Sequence, residues 1–224
     1  MTSFLRNRFL RVAGPAIGLA ASSVAFAGTY TSPGGAMGDG SGGNPGTPVT
    51  VPFVVTDLGN VVSVDITLTG LVHSWAGDVV ATLSGPGGAP QPFIMRKAGS
   101  STTNGLGDSS DFNGTYRFID GGADPVAALV ALGSTTALPS GDYFAYQLGT
   151  NTTTGNPVSL NTTFGGIAAA GTWTLTVTDT AGGDTGSFAS ATLHVVTSGG
   201  AVPEPTTISA LGLAGVGLFL KTDV

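Results

Sequence analysis

Residues 172–178 read Thr-Trp-Thr-Leu-Thr-Val-Thr. An apolar residue at every second position is a period of two, which a strand satisfies and a helix does not. Such a strand buries Trp173, Leu175 and Val177 and turns its threonines the other way, so it needs a second layer over its apolar face. The pattern recurs where Val62, Val64, Ile66 and Leu68 alternate with Ser63, Asp65, Thr67 and Thr69. Asp78 to Leu83 reads as another strand, with Val79, Ala81 and Leu83 on one face, stopped by Gly85-Pro86-Gly87-Gly88. Beyond the turn formers of Asp179 to Gly186, Ala189, Ala191, Leu193 and Val195 are expected to face the core from a last strand, forming a hairpin with 172–178. Pro125 to Leu132 is the one helical candidate. A hydrophobic fraction of 41% is enough for a core, and abundant Thr, Val and Gly favour strands. The fold class is all-β, an antiparallel β-sandwich.

Both ends of the chain read as export signals. In residues 1–27, Arg6, Arg8 and Arg11 form a basic start, Val12 to Ala21 is apolar, and Ala25-Phe26-Ala27 is a small-x-small cleavage site. At the other end, 202–224, Val202-Pro203-Glu204-Pro205-Thr206 precedes an uncharged, mostly apolar run, Ile208 to Leu220. As a helix those residues span ~20 Å, short of the ~30 Å hydrocarbon core. The order of parts resembles the PEP-CTERM sorting tail of exported bacterial proteins, with Pro203, Glu204 and Pro205 as its triplet and a short apolar helix after it. Where that family carries an Arg-rich cluster, this chain has only Lys221. The resemblance implies an exosortase-type processing enzyme at the membrane. It also implies delivery to the cell surface, outer envelope or extracellular matrix, with transient or retained inner-membrane attachment.

Between the signals, 28–48 is Gly, Ser, Thr and Pro and is expected to be a flexible leader. The sandwich is expected over 49–197, with 198–201 as linker, and 99–113 as a long polar loop. Composition excludes several functions. The chain has no Cys, so it has neither a disulfide framework nor a cysteine nucleophile. Loss of the first 27 residues leaves Arg96, Lys97, Arg117 and Lys221 against all 13 acids, a net charge of −9, which argues against nucleic acid as a partner.

Two separated motifs resemble the P domain of subtilisin-like proprotein convertases. His73-Ser74-Trp75-Ala76-Gly77-Asp78, followed by Leu83-Ser84-Gly85-Pro86-Gly87-Gly88, is similar to that family's H-T-W-x-G-D-L and L-x-S-P-x-G-T segments. Gly171 to Asp179, then Gly183-Asp184-Thr185-Gly186, is similar to its G-T-W-x-L-x-V-x-D…G-D-x-G ending. Gly141-Asp142-Tyr143 and Leu160 to Gly165 fall in matching order, while Ala89 and Ala191 replace the usual Thr and Trp. The resemblance covers roughly 50–196. It implies a jelly-roll-like sandwich of about eight strands, and a module that in the convertases stabilises a neighbouring protease domain.

No protease chemistry is legible. The chain has two histidines, His73 and His194. His73 belongs to the P-domain-like motif, and His194 falls on the polar face of the last strand. No subtilisin-type serine motif accompanies them. Asp184-Thr185-Gly186 has the aspartic-protease triplet but no second copy to share a proton. Calcium is the better chemical expectation, since a hard cation takes six to eight oxygens from carboxylates and loop carbonyls. Asp78, Asp108, Asp111, Asp120, Asp179 and Asp184 are the candidate ligands, with Asp124 nearby in sequence. Some P domains bind calcium, and Asp78, Asp179 and Asp184 match acidic positions of the family motifs. The alternative for every one is an aspartate capping its own turn. The sequons at Asn113, Asn151 and Asn161 read as loop composition, and Tyr143, Phe144 and Tyr146 as core packing rather than a sugar platform. The expected function is a non-catalytic exported structural or interaction module. The alternatives are a calcium-ordered binder of extracellular polysaccharide or protein, and a stabilising subunit of a serine protease encoded elsewhere.

Overall fold

A computed structural model describes residues 25–41, 44–88, 93–95, 109–132, 135–148 and 155–199. The start of the export signal, Asp108 with most of the 99–113 loop, and the tail with Pro203, Glu204 and Pro205 lie outside the described residues.

The strands are β1 (Ala25–Ala36), β2 (Val49–Val55), β3 (Asn60–His73), β4 (Val79–Ser84), β5 (Phe93–Met95), β6 (Asp111–Ala123), β7 (Ala137–Leu138), β8 (Gly141–Tyr143), β9 (Ala145–Leu148), β10 (Gly155–Val158), β11 (Gly171–Asp179) and β12 (Gly186–Ser198). One sheet runs β1-β12-β3-β6-β7, with β8 also on β6; the other runs β2-β11-β4-β5, and β9 pairs with β10. Every pairing is antiparallel except those of β7 and β8 with β6. The architecture is the expected β-sandwich. Ile66, Leu68, Tyr116, Leu193 and Val195 line the core from the first sheet; Phe53, Leu83, Trp173, Leu175 and Val177 line it from the second. Two short helices complete the chain, α1 (Pro125–Leu132) and α2 (Leu160–Phe164). The Asp124 carboxylate caps α1, accepting from Val126 N at 2.9 Å and Ala127 N at 3.1 Å. The expected strand faces of β4 and β11 and the expected helix are all present.

Five expectations are corrected. First, 28–48 is not a flexible leader. Residues 25–36 form β1, paired with β12 from Ala25 opposite Ser198 to Ala36 opposite Ser187. The glycines that read as flexibility serve close approach: a Cβ on Gly34 would strike the backbone of Phe188, and one on Gly40 that of Ala181. Second, Val62 is not in the core. Val61 and Ser63 pair with Thr197 and Val196, so Val62 is the extra residue of a β-bulge and lies 53% exposed, while Val61 is buried. Third, Ala189 faces outward and Phe188 is buried. Gly70, at φ +65°, breaks the alternation of β3 and packs against Ala189, and β12 changes face beside it with the register of the two strands unbroken. Fourth, residues 111–113, expected in the loop, belong to β6. Fifth, 172–178 and the last strand do not form a hairpin: β11 pairs with β2 and β4 in one sheet and β12 with β1 and β3 in the other, so the 180–185 turn crosses between the layers.

Pro33 lies in β1 and Pro52 in β2, the end strands of their sheets, where a missing N–H leaves no ladder bond unmade. The two strands meet through Ser32, whose hydroxyl donates to Pro52 O at 2.9 Å. Trp173 packs on Phe164 with ring centroids 4.9 Å apart and donates Nε1–H to Ala169 O. Tyr116 donates its hydroxyl to Leu138 O at 2.7 Å.

Leu175→Ala is expected to cost about 3 kcal/mol in urea unfolding, and Thr174→Ala on the outer face under ~0.5 kcal/mol. Burial raises the phenols of Tyr116 and Tyr143 above their ordinary value. Their proton is therefore held more firmly in the folded chain. The stability this contributes is complete below pH ~10 and is lost as pH rises beyond it. Thermal melts across the alkaline range should show that fall, and Tyr116→Phe should make it shallower.

Candidate functional site

The two motif segments that read most distinctively in the sequence converge at one end of the sandwich. His73 closes β3 in the first sheet and Asp179 closes β11 in the second, and both side chains are fully buried. His73 Nδ1 accepts from Trp75 N at 3.0 Å, so the ring hydrogen sits on Nε2. Nε2 lies 3.2 Å from Asp179 Oδ2, close but off the line of a good hydrogen bond. The other Asp179 oxygen accepts from Ala181 N at 3.1 Å. Asp78 is buried beside this pair, at the end of a single 3₁₀ turn (Ala76–Asp78), and its carbonyl takes Thr180 N at 2.9 Å and Thr180 Oγ1 at 2.7 Å. Asp184 accepts from the Ser74 hydroxyl at 2.6 Å, tying the 181–185 turn to the end of β3.

The supposed leader covers this end. Met37 N donates to Gly186 O, Gly40 N to Ala181 O, and Gly46 N to Asp179 O, all within 3.0 Å. Gly183 N donates to Asp39 Oδ1 at 3.1 Å. A Cβ on Gly182 would strike Gly40 O, so glycine on both sides lets the two backbones touch. Asp39 was not among the candidate residues; its neighbours look like linker, and only the hydrogen bond to Gly183 gives it a place.

The expected calcium ligands separate. Asp78 and Asp179 are brought together, and Asp184 lies near them on the turn. Asp120 is elsewhere, accepting from Ser159 Oγ at 2.6 Å and Leu160 N at 2.8 Å to seat α2. Asp111 opens β6 beside β7, where its N–H donates to Thr136 O. Among the described residues no group of three or more His, Asp or Glu is arranged to hold a metal. Asn161 uses its side-chain oxygen to accept from Val64 N at 2.9 Å. Tyr143 and Tyr146 are buried, as core packing requires.

A second constellation lies on the outer face of the first sheet. Asp65 accepts from Arg117 through Nε at 2.9 Å and Nη2 at 2.8 Å, and from His194 Nδ1 at 2.9 Å. Arg117 Nη1 also stands 3.7 Å from Asp142. The register makes the cluster, placing His194 opposite Asp65, and Arg117 opposite Thr67 and Asp142. The hydrogen bonds that Arg117 donates to Asp65 raise its pKa, holding the guanidinium charged. Arg117 is the only Lys or Arg among the described residues. Of this set, sequence reading placed Asp65 and His194 on the polar faces of their strands, and did not bring them together with Arg117. A charged Asp65 between threonines and serine on the polar face of β3 is the signal that would have pointed to a partner.

No family model matches the chain, and no curated protein does. Among solved structures, one chain of the Aeromonas sobria serine protease and chaperone complex is 16% identical, with a TM-score of 0.45 over 80% of this chain and 28% of that one. A structure of the serine protease of Aeromonas sobria is also 16% identical, with a TM-score of 0.38 over 76% of this chain and 27% of that one. This chain spans little more than a quarter of either. Likeness at that level assigns neither family nor function.

Asp179→Ala should leave His73 Nε2 buried without its neighbour and cost about 3 kcal/mol. Thr178→Ala, one residue away on the outer face, should cost under ~0.5 kcal/mol. Chemical denaturation of both variants checks the difference.

Proposed function

We propose that this is an exported, non-catalytic structural or interaction module of the cell surface, outer envelope or extracellular matrix, carrying a P-domain-like sandwich and delivered by its C-terminal tail. The observation that carries the reading is the use made of the two histidines. His73 is sealed in the core with both ring nitrogens facing chain groups, and His194 is held against Asp65 on a flat sheet face. General acid–base work needs such a group at hydrogen-bond reach of a substrate atom in a site that takes substrate. Here the same residue types hold strands and turns in place. The module then acts through its surface, and the Asp65–Arg117–His194 face is the one with fixed charge.

Export and sorting rest on the sequence of the two ends. The test is fractionation of the native host, with mass spectrometry of both termini in each fraction. Recovery outside the cell without residues 1–27 and without the segment beyond Pro205 is the expected result. A chain that keeps Met1 in the soluble cytoplasmic fraction overturns the reading. Retention of the purified module on matrix polysaccharide, or capture of a serine protease, would name the partner class. Peptide hydrolysis by the purified chain that disappears in His194→Ala would make it an enzyme instead.

A further inference from the structure

Asp57 lies in the connection between β2 and β3. Its Oδ2 atom is sealed from solvent and receives no hydrogen bond. It sits where a side chain on residue 28 would begin, so the carboxylate presses on the Cα of Gly28 in β1. The Tyr30 ring closes the same space. The Tyr30 hydroxyl accepts from Thr56 N at 3.2 Å and Asp57 N at 3.3 Å, which holds the connection in that position. A buried carboxylate oxygen without a donor is unfavourable. In the unprocessed chain the nitrogen of residue 28 is a backbone amide with a single N–H fixed in the peptide plane.

Gly28 is also the residue that follows Ala25-Phe26-Ala27. The three residues before it contribute little to the core: all are exposed, Phe26 by 56%. Their removal leaves the core in place, gives up the ladder positions opposite Val196, Thr197 and Ser198, and turns the nitrogen of Gly28 into a chain terminus. We infer that Asp57 is a receptor for the new N-terminus, so that cleavage between Ala27 and Gly28 completes the fold by giving the buried carboxylate an ammonium partner. The inference rests on reading residues 1–27 as an export signal. In the cleavage, water adds across the Ala27–Gly28 amide under a membrane-bound signal-processing protease. The C–N bond breaks, the water oxygen stays with the departing Ala27 in its carboxylate, and the nitrogen keeps its hydrogen and gains both protons of the water to become an ammonium. The ammonium carries three donors and lies one bond, about 1.5 Å, from the Cα that Oδ2 touches. It can rotate toward the carboxylate as an internal amide cannot. Glycine is required at 28 because any Cβ would occupy the place of the carboxylate.

The experiment compares the chain from Gly28 to Val224 with a free amine and with the same amine acetylated, each with Asp57 and with D57N. Acetylation alters no side chain, so the comparison does not depend on how well D57N folds. The free amine should raise Tm by about 3 °C over the acetylated chain, and D57N should abolish the difference. Equal melting temperatures, or a difference that survives D57N, overturn the inference. Mass spectrometry of the exported protein separates its two supports. A first residue other than Gly28 removes it through the signal reading, whereas Gly28 with equal melting temperatures removes the Asp57 pairing alone.

Discussion

The contact between His73 and Asp179 bridges the two sheets at the end where the chain is most crowded. A sandwich is held mainly by its apolar faces, which are interchangeable among hydrophobic residues of similar volume. A buried imidazole facing a buried carboxylate is not interchangeable. It demands that β3 end opposite β11, that Trp75 turn its N–H back to Nδ1, and that Ala181 supply its N–H to the second carboxylate oxygen. Gly46 then bonds the carbonyl of the same aspartate, and the segment from Met37 to Pro48 closes over the end. Such pairs specify geometry more than they add stability. That suits a sandwich whose two sheets must keep a fixed alignment.

The same economy explains the aspartates. Asp78, Asp124, Asp179 and Asp184 lie at turns or at the ends of elements, where their carbonyls or carboxylates receive hydrogen bonds from backbone and hydroxyl groups, while Asp120, within β6, accepts from Ser159 and Leu160. A chain poor in charge and rich in glycine has many turns to brace. A short carboxylate that bonds its own backbone is the usual brace.

What could be read in advance follows from where the physics is local. The alternation of β11 and the bounds of α1 were legible, because periodicity and capping are short-range. The exposure of Val62 and the burial of Phe188 were not. Val62 is displaced by a bulge against β12, and Phe188 by a change of face that β3 and β12 make together around Gly70, and nothing in the residues nearby marks either. The 28–48 segment misled for another reason. Glycine appears both where a chain is free and where two backbones must touch, and composition alone does not separate the cases. The same ambiguity divided the acids. An aspartate near others in sequence looks like a ligand until the fold sends Asp120 to α2 and Asp184 to Ser74. His73 is buried and bonded to Trp75, but its partner Asp179 was read as a ligand rather than a buried counterpart.

The pairing of β1 with β12 also has a kinetic side. The first described strand bonds the last along nearly its whole length, so the first sheet is closed by residues from the two extremes of the domain. Contacts so remote in sequence form late and slowly, because the intervening chain must first be brought together. A polypeptide made from its N-terminus presents β1 first and β12 last. Until the final strand arrives, β1 lacks its partner and the sheet has no seam to close on. The topology thus leaves the chain slack until its last strand is made and reserves the locking step for that strand.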